Sequence, residues 1–248
     1  MQAVERVVGV LMCFTDGRKE LGVTQIAEAL ELPKSAVHRV LESLVDTGLV
    51  TKQYERGKYR LGPRALELSL AALGTADIRS LALPIMESLR DETGETVTLS
   101  FRINRERIYV AQVESRQDVR MTIEVGRRQP LYAGASGRAI LMTFSDAELD
   151  DYFERVDLRP LTDRTVRDGE SLRAILAEDR QRGYTVSLGE RDAYAAAVAA
   201  PIRSRSTHAF GAVSVCGPGT RLSGPQLDSC AEALLRATKQ LGDLVAGA

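Results

Sequence analysis

Lys34, Ser35, Ala36, His38 and Arg39 are small, polar or basic, and they fall on the outer side of one helix-length segment. That combination suits contact with phosphates and base edges in a DNA major groove. Arg39 carries a planar fork able to donate two hydrogen bonds to a guanine edge, Ser35 and His38 can meet a base or a phosphate, and Lys34 supplies a compact charge. Thr24 and Gln25 open the preceding helix, where side chains and backbone N–H groups meet phosphate. Arg56, Lys58 and Arg60 surround a Glu55-Arg56-Gly57 turn and suit a second contact to the DNA backbone.

Periodicity supplies the elements that hold these groups. Ile26, Ala27 and Leu30 share one side of a first helix, and Val37, Val40, Leu41, Leu44 and Val45 share one side of a second. Glu31 and Leu32 leave room for a short joint only, Pro33 suits the first turn of the next helix, and Gly48 can stop it in the left-handed conformation. Thr24 is expected as the N-cap of the first helix of the pair. Residues 3–14 form an earlier helix with Val4, Val7, Val8, Leu11 and Met12 at helical spacing, closed by an Asp16-Gly17 turn. Residues 49–61 read as two short strands around the Gly57 turn. Three helices and such a hairpin make a winged helix-turn-helix over residues 1–62.

At 248 residues the chain has room for two domains and a sizeable core. The formal net charge is -1 and the pI near 6.2, so nucleic acid is expected against a local patch rather than the whole surface. From Lys34 to Arg64, seven basic residues against three acids leave plus four, and the remainder is correspondingly acidic. Cys13, Cys216 and Cys230 share no short spacing with each other or with His38 and His208, so reduced buried thiols are expected and no metal or cofactor. His208 sits in a polar loop without a nucleophile pattern beside it, which argues against catalysis. The N-terminus has no signal-peptide pattern and the longest apolar run, residues 193–202, is too short for a bilayer, so a cytoplasmic location is expected.

Residues 64–73 read as a linker helix within a connecting segment 63–76, with the domain boundary at Gly74-Thr75-Ala76 and a second domain over 77–248. In that domain, helices are expected at 77–93, 135–144, 145–153, 171–182 and 225–245. Strands are expected at 95–102, 107–114, 120–125, 184–187, 195–203 and 210–216. Interspersed strands and helices with hairpin-length joints imply an α+β domain around an antiparallel sheet.

The stretches ELGVTQIAEALELPKSAVHRVLESLVDTGLV, GKYRLGPRALEL, ETGETVTLS, GRRQPLYAGASGRAIL, QRGYTVSLGER, VAAPI and AVSVCGPGTRLS, in this order and spacing, resemble an IclR-family transcriptional regulator over nearly the full length. The resemblance implies a winged helix-turn-helix, a linker helix, and a GAF-like or PAS-like effector-binding domain. It also implies homodimers, often paired into dimers of dimers on a double-stranded DNA operator, acting as repressor or activator. By the same resemblance the effector cavity is lined by Ala135, Ser136 and Gly137, at a helix start that suits a carboxylate, and by Ser187, Ala197, Ser214 and Cys216, with Met121 and Ile123 as apolar lining. Tyr132, Tyr194 and Ala197 depart from the family's usual residues, at positions expected near the cavity. The expected function is sequence-specific DNA binding under control of a small organic acid. The competing reading is a small-molecule-converting enzyme with a vestigial DNA-binding head.

Overall fold

The structure is a computed structural model that describes residues 3–15, 20–53, 57–65, 68, 78–203 and 209–247. The Asp16-Gly17 turn, Arg56, most of the linker helix, the Gly74-Thr75-Ala76 break and His208 lie outside the described residues. Contacts divide the chain into two units, Met1–Asp77 and Ile78–Ala248.

The first unit contains α1 (Ala3–Cys13), β1 (Leu21–Gly22), α2 (Val23–Leu30), α3 (Lys34–Asp46), β2 (Val50–Gln53) and β3 (Lys58–Leu61). The apolar sides of the three helices meet over Val10, Ile26, Val37 and Leu41, each fully buried, and Tyr59 of β3 closes the core from the sheet. Glu31 ends α2 in the left-handed conformation at φ 53°, which makes the sharp joint between α2 and α3. Gly48 ends the turn after α3 at φ 77°. A Cβ on Gly62 would lie 2.2 Å from the Gly48 carbonyl oxygen, so the base of the hairpin closes only around glycine.

Two local expectations are corrected here. The N-cap of α2 is Gly22, not Thr24: β1 pairs Gly22 with Lys58, holding it extended at φ -90°, and the Gly22 N–H donates to Gln25 Oε1 at 2.9 Å. Thr24 therefore lies inside the first helical turn. The two-residue strand β1 was not expected and is too short to leave a periodic signal; it makes the sheet three-stranded, in the order β1-β3-β2.

The second unit contains α4 (Ile78–Thr93), β4 (Thr96–Ile103), β5 (Glu106–Val113), β6 (Arg128–Pro130), α5 (Ala135–Leu141), α6 (Asp146–Arg155), α7 (Gly169–Arg182), β7 (Thr185–Leu188), β8 (Ala195–Arg203), β9 (Ala209–Pro218) and α8 (Gly224–Gly247). The six strands form one antiparallel sheet in the order β6-β5-β4-β9-β8-β7. Alternation along the strands sorts the residues to two faces. Val97, Leu99, Val198, Val213 and Val215 face a core closed by Met86 and Leu89 of α4 and Leu234 and Leu241 of α8. Thr98, Ser214 and Ala212 face the side of the sheet where α5 packs, with α6 and α7 behind it around Tyr152, Leu149 and Leu172. Ser145 caps α6 by accepting from the Glu148 N–H, and Asp168 caps α7 by accepting from Ser171.

The strand expected at residues 120–125 is absent. That stretch runs beside the sheet held by side chains rather than by a ladder: Gln112 Oε1 accepts from the Ile123 N–H at 2.6 Å, and Thr96 Oγ1 donates to the Met121 carbonyl at 2.7 Å. The edge ladder forms later, where Arg128–Pro130 pairs with residues 106–108.

Candidate functional site

In the first unit, α3 turns Val37, Leu41 and Leu44 into the core and leaves Lys34, Ser35 and Arg39 exposed, with Ala36 and His38 half-buried on its flanks. His38 Nδ1 lies 3.4 Å from Glu42 Oε1 one turn on. Thr24 and Gln25 are exposed at the start of α2, although one Gln25 oxygen is engaged by the Gly22 N–H. Lys58 is exposed at the start of β3, and Arg60 Nε donates to Thr51 Oγ1 at 3.3 Å along the hairpin. A convex helix with short and basic side chains, next to a basic hairpin, is a shape that fits a major groove and its flanking phosphates.

In the second unit a cavity opens between the sheet and α5. It is partly open, encloses about 30 Å3 of free space, and is lined by Arg107, Tyr109, Met121, Ile123, Gly134, Ala135, Ser136, Ser187, Arg191, Asp192, Ala195, Ala196, Ala197, Ser214 and Cys216. Eight of the nine residues expected at an effector site meet there from four distant stretches of chain. Gly137 is the exception. Its Cα faces the Leu131 backbone, and a Cβ there would lie 2.3 Å from the Leu131 carbonyl oxygen, so this glycine lets α5 pack close rather than lining the cavity.

The cavity has two chemically different ends. At one end the hydroxyls of Ser136, Ser214 and Thr98 form a chain, Ser136 Oγ donating to Ser214 Oγ at 3.0 Å and Thr98 Oγ1 lying 2.8 Å from Ser214 Oγ. Cys216, two residues further along β9, packs with Tyr109 and Ile123 between the two ends, its thiol pushed up to about 12 by burial. At the other end the Arg107 guanidinium lies over the Tyr109 ring, 4.7 Å from its centroid, and Arg191 Nη1 donates to the Tyr109 hydroxyl at 2.6 Å. Burial, and then the like charge of Arg191, lower the Arg107 pKa below its ordinary value.

Behind the cavity wall sits a cluster of buried charges. Glu190 Oε2 accepts from the Gly134 N–H at 3.1 Å and Oε1 lies 3.1 Å from Arg138 Nη1, while Asp179 faces both Arg138 and Arg182. Burial raises the carboxyl pKa of both Glu190 and Asp179, opposed by Arg138. Thr162 and Thr165 donate to the Glu190 carbonyl at 3.1 and 2.6 Å, pinning the segment that carries Arg191.

Residues 70–242 match the family described as bacterial transcriptional regulator IclR C-terminal, and residues 3–53 match the IclR helix-turn-helix domain. The chain belongs to the IclR family of bacterial transcriptional regulators. Among its relatives, the HTH-type transcriptional regulator KipR of Bacillus subtilis is 34% identical over 90% of this chain and 89% of its own length. The HTH-type transcriptional regulator XynR of Escherichia coli is 30% identical over 96% and 94%. The crystal structure of an IclR homologue from Microbacterium hydrocarbonoxydans, complexed with 4-hydroxybenzoate, superposes with a TM-score of 0.86 at 27% identity and covers 100% of both chains. An IclR transcriptional regulator from Alicyclobacillus acidocaldarius gives a TM-score of 0.85 at 26% identity, over 98% of this chain and 99% of that one. This chain is a DNA-binding transcriptional regulator with the two-part, α+β architecture of that family.

Two of the three departures from usual IclR-family residues fall away from the cavity. Tyr132 is buried against Tyr152 and donates to the Arg159 carbonyl at 2.9 Å, and Tyr194 is 85% exposed; Ala197 does line the cavity. Sequence reasoning passed over Arg107, Tyr109 and Arg191. Strict alternation along β5 puts Arg107 and Tyr109 on the same face as Ala111 and Val113, which pack against α4 and α8. A register shift prevents this: Leu99 pairs with Ala111 but Ser100 pairs with Tyr109, so one extra residue on β5 rotates Arg107 and Tyr109 to the cavity side.

Proposed function

We propose that the affinity of this regulator for its DNA operator is set by a small organic-acid effector held in the cavity of the second unit. The convergence of eight expected lining residues in one polar-ended cavity carries this reading. The ligand bound by the M. hydrocarbonoxydans homologue, a small aromatic acid, supports it. In this reading the winged helix-turn-helix, residues 1–62, reads DNA through Arg39, Lys34, Ser35, Ala36 and His38, with Thr24, Gln25, Arg56 and Lys58 on phosphates. Residues 63–76 are the covalent link to the effector-binding domain, residues 77–248. A tenfold change in operator affinity requires the effector to favour one arrangement by about 1.4 kcal/mol, within reach of a few buried hydrogen bonds.

The protein works as a homodimer in this reading, paired further on DNA. Val4 and Val8 on α1 are 72% and 51% exposed, an apolar row that a second copy would cover, and two reading heads raise an affinity that one head with plus four charges would lack. It works without catalysis, on cytoplasmic DNA. Among the described residues no three His, Cys, Asp or Glu side chains gather to hold a metal, and no helix is long and apolar enough to cross a membrane.

DNA binding of the full-length protein, measured with and without a panel of small carboxylic acids, tests the reading. A shift in operator affinity with one acid supports it; an unchanged affinity with the whole panel overturns effector control.

A further inference from the structure

Arg107 is 1% exposed, and its Nε and Nη1 have no hydrogen-bond partner. Among the described residues no carboxylate pairs with it. Three acids around the cavity are committed elsewhere: Glu190 holds the Gly134 N–H and Arg138, Glu95 holds Arg221 at 2.8 Å, and Asp192, an exposed lining residue, accepts the Tyr194 N–H at 3.0 Å. A buried guanidinium that meets Tyr109 but no carboxylate carries an uncompensated desolvation cost, which an incoming anion would relieve. The charges lining the cavity are Arg107, Arg191 and Asp192, which leave one positive charge uncompensated.

We propose that Arg107 is the anion-docking group of the cavity, and that the effector is a monocarboxylate carrying an uncharged polar group at its far end. This rests on the effector role proposed for the cavity and adds the class and the orientation of the ligand. The carboxylate takes one of the free Arg107 N–H groups, with Tyr109 beneath and Arg191 at the open side. The hydroxyl chain of Ser136 and Ser214 receives the far end. Arg107 stands on β5 level with Arg102 of β4, and Ser214 on β9 level with Thr98 of β4, so the two ends are two strand spacings across and four residues along, roughly 16 Å apart at the backbone. Side chains reach inward from both ends, which limits the ligand to a small acid. The hydroxyls are already satisfied by one another, so they select a polar group rather than a second charge.

The test uses the full-length protein with lactate, pyruvate and 4-hydroxybenzoate and, beside each, its uncharged amide, read by calorimetry and thermal denaturation. At least one acid binds the wild type 30-fold or more tightly than its amide. Arg107→Met loses that preference while melting at or above the ligand-free wild type, because it removes an unpaired buried charge. Arg107→Lys keeps charge without the fork, so the acid-over-amide ratio falls at least threefold, and this variant carries the test if Arg107→Met does not fold. Equal binding of acids and amides by the wild type, no binding of any acid, or an undiminished preference in Arg107→Met or Arg107→Lys would each overturn the assignment. Acid binding that depends on Arg107 but leaves operator affinity unchanged removes effector control and keeps the anion site. Operator release that is identical in wild type and Arg107→Met does the reverse.

Discussion

The Glu190 carboxylate accepts the Gly134 amide N–H at 3.1 Å, so an acid on the segment after β7 fixes the residue that leads into α5. The same carboxylate pairs with Arg138 inside α5, and both side chains are under 10% exposed. Glu190→Gln keeps the shape and removes the charge, leaving Arg138 with Asp179 alone at 3.8 Å. We expect a loss of about 3 kcal/mol, the usual result of breaking a buried pair from one side. Urea denaturation checks it, and a loss below about 0.5 kcal/mol would show that Asp179 suffices.

Arg39→Ala should cost roughly 1–3 kcal/mol on the cognate operator and relax its specificity, whereas Lys58→Ala should weaken all sequences alike and flatten the salt dependence. Binding to cognate and random duplexes over a salt series separates the two. Equal losses on both duplexes for Arg39→Ala would remove its base-reading role.

Val8→Glu puts a charge into the exposed row of α1 without touching the core around Val10. Sedimentation of this variant should show a weaker dimer than the wild type and a shallower DNA-binding curve. A wild type that sediments as a monomer at every concentration would end the argument for pairing.

Gly137→Ala sets a methyl 2.3 Å from the Leu131 carbonyl oxygen, a backbone atom that cannot swing aside. The expected loss is about 1–3 kcal/mol by thermal or urea denaturation. A neutral result would mean that α5 can shift outward, and the cavity with it.

Burial pushes the Cys216 thiol up to about 12 and the Cys230 thiol up to about 11, so both stay protonated at pH 8 and react slowly, while Cys13 is half-buried. Iodoacetamide at pH 8 should label Cys13 first and the other two only on unfolding, followed by mass spectrometry of the peptides. Rapid labelling of native Cys216 would show a more open and more polar cavity than the packing around it implies.

The fold was legible wherever one period ran unbroken. Ile26 with Leu30, Val37 with Leu41 and Leu44, and the long run of β8 place their elements correctly because each segment keeps a single buried side. The cavity wall was legible through the family resemblance where it carried small polar residues, as at Ser136 in α5 and Ser214 in β9. It was not legible at Arg107 and Tyr109, because the extra residue in β5 breaks alternation and leaves no mark in composition. The segment 120–125 alternates like a strand, yet its backbone is satisfied by Gln112 and Thr96 side chains, a long-range contact that local pattern cannot express. Thr24 had the chemistry of a cap, but pairing of Gly22 with β3 set the start of α2 instead.

Every residue lining the cavity lies from Arg107 to Cys216, and no proposed DNA contact lies beyond Arg60. Mutation can therefore rewrite which molecule is sensed without disturbing which sequence is addressed, and the reverse. A chimera that exchanges one half at the linker would give an old promoter a new signal, and lineages of such proteins can diversify each half at its own pace.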